Sequence, residues 1–149
     1  MPHVDPSRVR FDSAIQTLRA HGRRLTSLKR TVLEQFAGTD CALTVEDIGA
    51  RVGVSSDLSP LYRCLASMEE AGVLTHLYLA DRVRRYELAD EFGGHHHHHH
   101  VCVQCSGVTR IEGCGLTESM DDRAAAAGCV VQDHVVVLKG ICSRCASTR

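Results

Sequence analysis

Residues 44–72 read TVEDIGARVGVSSDLSPLYRCLASMEEAG and contain two short helical patterns joined by a polar turn. Thr44, with Asp47 three residues later, resembles a capping box in which Glu or Gln is the more usual third residue. Ser59 is a suitable N-cap for the next helix, and Pro60 suits its first position because proline lacks an N–H that would be unpaired there. Two helices joined by so tight a turn predict a helix-turn-helix.

The segments on either side complete a winged-helix pattern. Two β-like runs, residues 73–79 and 83–88, follow the second helix and predict a hairpin. On the other side, apolar spacing predicts helices over residues 7–20 and 26–36. A hairpin directly after a helix-turn-helix is the wing of a winged-helix domain. Acidic residues and the flexible pair Gly93-Gly94 predict the end of this domain.

The predicted fold class is α+β, with a winged-helix domain over residues 1–92 and a small αβ domain over residues 93–149. In the second domain, strand patterns cover residues 95–103, 108–111 and 130–138, and a helical pattern covers residues 116–127. The near-continuous valines of the last strand predict burial on both faces. About 55 residues are too few for a large core, so we expect a structural metal and a dimer interface to stabilise them.

Composition limits the function classes. The chain has 149 residues, 44% of them hydrophobic, with 17 basic and 18 acidic side chains. Net charge therefore indicates no particular partner, but residues 8–30 carry seven Arg or Lys against one Asp, which is a local basic patch. Eight cysteines without a signal peptide or an apolar run of membrane-spanning length predict a cytoplasmic protein whose thiols hold metal or stay reduced.

Two Cys-x-x-Cys pairs, Cys102/Cys105 and Cys142/Cys145, are separated by 36 residues. Each pair can occupy one edge of a tetrahedron, and zinc(II) accepts four thiolates without a geometric preference from its d electrons. The spacing therefore predicts a structural four-cysteine zinc site. The alternative is four reduced cysteines with no common partner.

The remaining thiols give weaker signals. Cys64 and Cys129 lie in apolar segments, where a free cysteine usually packs as a small core residue. The residues around Cys114 leave open whether it is a loop residue or a spare thiol.

Six consecutive histidines, residues 95–100, stand directly before the first cysteine pair. In an extended strand, alternate side chains share a face, which separates His95, His97 and His99 from His96, His98 and His100. Histidines two residues apart on one face are about 7 Å apart, close enough to share an ion with ligands from elsewhere. The candidates to complete two sites are Glu87, Cys41, His76, Glu118 and His134.

The histidine run has two simpler interpretations, a purification tag and a solvated metal-scavenging tract. Tags normally stand at a terminus, whereas this run adjoins a metal motif inside a predicted strand. We therefore favour metal sites that belong to the fold.

The order of these features resembles the ferric uptake regulator (Fur) family of bacterial metalloregulators over nearly the whole chain. The motifs that carry the resemblance are Arg24-Leu25-Thr26, Leu61-Tyr62-Arg63, Tyr86-Glu87-Leu88, the histidine run with Cys102 and Cys105, and His134 with Cys142 and Cys145. The resemblance implies a homodimer that binds double-stranded operator DNA with its recognition helices in the major groove. The DNA contacts implied by position are Ser59, Tyr62 and Arg63 in the recognition helix, and Arg24 and Lys29 before and in the second helix.

The same resemblance implies three metal sites. The four paired cysteines match the structural zinc site. A regulatory site is implied at Glu87, His97 and His99, with Cys41 where the family usually has a histidine. A second site in the dimerisation domain is implied at His96, His98, His134 and Glu118. A sulfur ligand at Cys41 favours zinc over iron(II) as the effector, while nickel(II) and manganese(II) also suit imidazole and carboxylate ligands.

The predicted function is a metal-dependent, DNA-binding transcriptional repressor of metal uptake or homeostasis genes, with the ion as corepressor. The alternative is a His-rich metal storage or chaperone protein without operator-specific DNA binding. An enzyme is not expected, because the sequence has no HExxH, no phosphate-binding glycine loop and no Gly-x-Ser-x-Gly. A four-cysteine zinc site also has no open position for water.

Overall fold

The computed structural model describes residues 5–79, 81–93, 97–115, 117–132 and 134–147, without the side chains of residues 93, 117 and 118. The chain divides into two compact units, Met1–Gly94 and His95–Arg149. The elements of the first unit are α1 (Pro6–Ala20), α2 (Ser27–Ala37), α3 (Val45–Val52), α4 (Ser59–Glu70), β1 (Leu74–Tyr78), β2 (Arg84–Leu88) and α5 (Asp90–Gly93). Those of the second are β3 (His97–Cys102), β4 (Val108–Glu112), α6 (Thr117–Ala126), β5 (Val137–Gly140) and α7 (Ser143–Ala146).

Side-chain caps start two helices of the first unit where the sequence predicts them. At α2, the Thr26 hydroxyl accepts the Lys29 backbone N–H at 3.2 Å. At α3, the Thr44 hydroxyl accepts the Asp47 N–H at 3.0 Å, and the Asp47 carboxylate accepts the Thr44 N–H at 2.9 Å. The predicted capping box is confirmed. A shorter aspartate therefore accepts the same N-cap N–H group that Glu or Gln usually does.

The turn between α3 and α4 depends on close backbone approach. A Cβ on Gly49 would lie 2.5 Å from the Val54 carbonyl oxygen, so a larger residue would push the turn away from α3. The prediction of Ser59 as N-cap is wrong by one residue, because α4 begins at Ser59 and Leu58 is its N-cap. The reason is that the Asp57 carboxylate accepts the Ser59 N–H at 2.9 Å, so an upstream side chain satisfies that group.

One hydrophobic core joins the helices and the hairpin of the first unit. Its largest fully buried side chains include Leu18, Leu33, Phe36, Ile48, Leu61, Leu65 and Met68. Each such side chain contributes about 1.5–3 kcal/mol on burial. The antiparallel hairpin is tied to this core by a bridge in which Leu43 and Tyr86 exchange two backbone hydrogen bonds, both 2.8 Å long. Cys64 is buried in this core, as predicted.

The wing contains an ion pair between a buried arginine and a partly exposed aspartate. Arg85 is 6% exposed, and its guanidinium donates to both carboxylate oxygens of Asp81, at 2.8 and 2.6 Å. These hydrogen bonds from Arg85 are the main cause that lowers the pKa of Asp81 from 3.8 to about 2. Folding therefore favours the ionised form of Asp81. By the same linkage, ionised Asp81 stabilises the folded hairpin.

Replacing Asp81 by Asn is expected to lower the free energy of unfolding by about 1 kcal/mol at neutral pH, because buried Arg85 loses its charged partner but solvent screens the partly exposed carboxylate. In the unchanged protein this contribution is fully present above pH 3.8 and is lost as pH falls towards about 2. Urea unfolding followed by circular dichroism measures both effects. Arg82→Ala, a change in the same turn, is the control. Equal stability of the Asp81 variant and the unchanged protein would contradict the role of this pair.

The second unit is built on a three-stranded sheet of order β4-β3-β5. The central strand β3 pairs antiparallel with β4, where His98 lies opposite Ile111. It pairs parallel with β5, where Cys102 lies opposite Gly140. The end of β3, where the first cysteine pair begins, therefore lies beside the end of β5, where the second begins. At the opposite end of the sheet, the starts of β3 and β5 lie beside the end of β4.

The predicted strand over residues 130–138 is wrong over most of its length. The observed strand begins at Val137, and Val130 and Val135 are 89% and 67% exposed, so the predicted burial on both faces is also wrong. β-Branched residues form a strand only where a neighbour supplies hydrogen bonds, and β5 is an edge strand paired on one side. Cys129 is exposed rather than in the core, because it lies in the turn just beyond α6, where its N–H donates to the Ala124 carbonyl at 2.8 Å.

None of the helices in the described part of the chain combines the length and the apolar character that a membrane crossing requires.

Candidate metal centres and nucleic-acid interface

The four predicted cysteines come together at one end of the second unit. Cys102 ends β3, and Cys105 lies in the turn that follows. Cys142 is the N-cap of α7, and Cys145 lies within that helix. All four sulfur atoms lie within 4.8 Å of one another. The parallel pairing of β3 with β5 produces this arrangement, because the two cysteine pairs follow strands that end at the same end of the sheet.

The geometry of this cluster fits a tetrahedral zinc ion. Four sulfurs at about 2.3 Å from zinc are about 3.8 Å from one another, and the Sγ atoms of Cys105 and Cys142 are 3.8 Å apart. The described cysteines form no disulfide. Cys102 and Cys145 are buried, so the cluster is closed on one side, as expected of a structural site.

Hydrogen bonds within the chain favour the thiolate form of two of these cysteines, Cys102 and Cys105. Backbone N–H groups, first that of Cys142, lower the pKa of Cys102 to about 5. The Gly107 N–H and then the Arg144 guanidinium lower the pKa of Cys105. Hydrogen bonding to its neighbours, first to Cys105, raises the pKa of Cys145 to about 12, so that thiol keeps its proton among the other sulfurs. A divalent cation would replace that proton and offset the negative charge.

A second cluster in the same unit contains a residue whose role the sequence left open. His98 of β3, Cys114 of the loop after β4, and His134 before β5 offer ligand atoms that all lie within 4.8 Å of one another. His96 of the predicted second site lies outside the described residues, as does the side chain of Glu118. The structure thus brings together two predicted ligands, His98 and His134, with the thiol of Cys114, which the sequence did not assign to a site.

The two histidines of the predicted regulatory site share one face of β3. The rings of His97 and His99 meet edge to face, with centroids 4.9 Å apart, which confirms the predicted alternation for this pair. The other two predicted ligands belong to the first unit. Glu87 lies in β2 opposite Thr75, and Cys41 lies in the segment between α2 and α3. Whether these four residues share an ion stays a prediction.

His76 was a further candidate ligand, and it belongs to a different network. Its Nδ1 contacts the Glu69 carboxylate, and Arg84 donates to both oxygens of that carboxylate, at 3.0 and 2.8 Å. Glu69 is in α4, whereas His76 and Arg84 are in the hairpin. The network therefore joins the hairpin to α4.

One face of α4 is exposed and carries the predicted DNA contacts. Ser59, Tyr62 and Arg63 are exposed, with Tyr62 half exposed, and the opposite face packs into the core. Arg24 is also exposed, before α2. Lys29 is only partly exposed, and its ammonium donates to the Ser67 hydroxyl of α4 at 2.8 Å. Lys29 thus also holds α2 against α4.

Similar proteins share both the sequence pattern and the fold. A model of the ferric uptake regulator family matches residues 20–139. The ferric uptake regulation protein of Neisseria meningitidis serogroup C is 30% identical over 141 residues, covering 89% of this chain and 93% of the relative. The Helicobacter pylori ferric uptake regulator, described with three functional metal-binding sites, superposes with a TM-score of 0.75 at 17% identity, over 98% of this chain and 97% of that one.

A zinc uptake regulator complexed with zinc and DNA superposes with a TM-score of 0.66 at 20% identity, over 97% of this chain and 98% of that one. Together with the Helicobacter pylori structure, it confirms the predicted α+β fold, a winged-helix domain followed by a small αβ domain. At these identities the structural likeness shows the fold alone.

Proposed function

Because the chain belongs to the ferric uptake regulator family of metal-dependent transcription regulators, we propose that it is a zinc-responsive repressor of metal uptake or homeostasis genes. Proteins of this family regulate transcription and are not enzymes. The observation that carries the proposal is that one chain combines an exposed recognition face on α4 with clustered metal ligands in its second unit. A storage protein would need only the ligands. We place this repressor in the cytoplasm, with the genomic DNA.

Two groups of side chains on the first unit would recognise DNA. Tyr62 offers an apolar ring to a thymine methyl, and Arg63 beside it can bind a phosphate or a guanine edge. Arg24 is placed to neutralise a phosphate. The half-exposed Tyr62 ring lies on the face of α4 that points away from the core. Regulators of this family bind DNA as dimers.

We propose that the dimer forms through the second unit. Its exposed apolar side chains are unusually many for so small a unit: Val103, Ile111, Met120, Val130, Val131, Val135, Leu138 and Ile141. A second copy would cover such a surface and supply the core that about 55 residues lack. The exposed edge of β5 could also pair with the partner.

We propose that Cys102, Cys105, Cys142 and Cys145 hold structural zinc, and that His97 and His99 bind the effector with Glu87 and Cys41. The second part rests on sequence position and on the shared face of His97 and His99. Binding an ion with side chains of both units would favour one arrangement of the recognition helices. The thiol of Cys41 makes zinc the preferred effector over iron(II), with nickel(II) and manganese(II) behind.

The test is a gel shift with DNA from upstream of the chain's own gene. We expect a specific complex at buffered free zinc that is lost when a chelator lowers free zinc, and a steep loss of affinity with salt. Random DNA of equal length is the control. Repeating the assay with iron(II), nickel(II) and manganese(II) identifies the effector. Equal binding to both DNAs at every zinc level would support the storage alternative and overturn the proposal.

A further inference from the structure

The cluster of His98, Cys114 and His134 contains a sulfur ligand where the resemblance implies only nitrogen and oxygen. The Cys114 Sγ lies 3.2 Å from His134 Nε2. The rings of His98 and His134 are tilted by 49° with centroids 5.3 Å apart. His98 is 6% exposed, and the other two are half-buried. Two imidazoles and one thiol, all of them common metal ligands, thus converge in a partly closed site that shares no residue with the four-cysteine cluster.

The sheet topology explains why these residues meet. Because β4 runs antiparallel to β3 and β5 runs parallel to it, the loop leaving β4 and the segment entering β5 both lie beside the start of β3. Cys114 is in that loop, directly after Gly113, whose φ of 78° turns the chain there. His134 is in that segment. The fold itself therefore brings the thiol to the two imidazoles.

We propose that Cys114 is a metal ligand, and that with His98 and His134 it forms a thiolate-containing zinc site in the second unit, separate from the four-cysteine site. Two imidazoles and one thiolate are a ligand set that zinc(II) and its spectroscopic substitute cobalt(II) accept in tetrahedral geometry, with one position left for a further ligand. The thiolate disfavours manganese(II) and magnesium(II), which prefer oxygen ligands. This site does not depend on the function proposed above.

The alternative is that Cys114 and His134 form only a hydrogen bond. Both interpretations explain the 3.2 Å distance, but they differ in what zinc does to the thiol. A zinc-bound thiolate is shielded from alkylating reagents, whereas a hydrogen-bonded thiol stays reactive at every zinc concentration.

Alkylation of the full-length protein followed by tryptic mass spectrometry separates the two interpretations. Trypsin places Cys114 in residues 111–123 and Cys129, the matched control, in residues 124–139. With iodoacetamide as reagent, we expect zinc to slow the alkylation of Cys114 at least about tenfold and to leave Cys129 unchanged. Equal Cys114 rates with and without zinc, while the four-cysteine site is protected, would overturn the proposal.

Metal content provides a second test that does not depend on reactivity. After equilibration with zinc and gel filtration, Cys114→Ser is expected to retain one zinc fewer per protomer than Cys129→Ser. Cys114→Asp, which supplies an oxygen ligand, is expected to lower the preference for zinc over manganese(II) at least about tenfold. Identical zinc content in the two serine variants, or an unchanged preference in the aspartate variant, would contradict ligation by Cys114. Operator binding is measured separately, so neither result decides the proposed function.

Discussion

Replacing Cys142 and Cys145 together by serine is expected to remove the structural zinc and to unfold the second unit. Binding of structural zinc by small domains is worth roughly 10–16 kcal/mol near neutral pH. Native domains are stable by only about 0.05–0.15 kcal/mol per residue, or roughly 3–8 kcal/mol for about 55 residues, so the lost binding energy exceeds the stability expected of the second unit. The four residues of α7 are too few to form a stable helix by themselves, and its N-cap Cys142 and its own Cys145 both belong to the cluster.

Zinc analysis and amide NMR spectra measure this result. We expect the variant to lose the dispersed signals of residues 97–147, and signals of the core around Leu33 and Phe36 to remain, because that core has its own buried side chains. Cys129→Ser is the matched control, since that exposed thiol donates only a long hydrogen bond of 3.8 Å to the Ala127 carbonyl. Retention of a folded second unit without zinc would show that the cluster is dispensable.

Replacing His97 and His99 together by alanine is expected to abolish metal-dependent operator binding and to leave the fold intact. Allosteric coupling between an effector and a DNA site is typically worth about 1–3 kcal/mol, or about 5- to 150-fold in affinity. The variant should lose this whole factor, because both imidazoles of the proposed regulatory site are gone. Its affinity for DNA should equal that of the unchanged protein without effector.

Fluorescence anisotropy with labelled operator DNA measures the change, and circular dichroism checks the fold. His21→Ala is the control, because His21 is an exposed histidine at the end of α1. It should keep the full response to zinc. An unchanged zinc response in the His97/His99 variant would remove these residues from the regulatory site.

The helices of the first unit could be predicted from the sequence because helix caps and helical spacing depend on residues that are close together along the chain. The pair Thr44 and Asp47 caps its helix within three residues, and Ser59-Pro60 marks the start of α4 to within one residue. The start of α4 was misplaced by one residue because the group that binds the Ser59 N–H, the Asp57 carboxylate, comes from outside the expected cap.

The second unit was harder to predict because its structure depends on contacts between distant residues. Val130 and Val131 have strand propensity, but in the part of the chain that the structure describes they belong to no strand of the sheet. Cys114 meets His98 and His134 only through the strand order β4-β3-β5, which spacing along the chain does not reveal. The paired cysteines were predictable because each Cys-x-x-Cys already places two ligands close together.

The action of the metal as corepressor is tested most directly by the reciprocity between zinc binding and operator binding. Operator affinity is measured at two buffered zinc levels that both keep the four-cysteine site loaded, and zinc affinity is measured with and without operator. Linkage requires the two affinity ratios to be equal. We predict that zinc tightens operator binding about 5- to 150-fold, and that operator tightens zinc binding by the same factor. Operator affinity that is the same at both zinc levels would contradict the account.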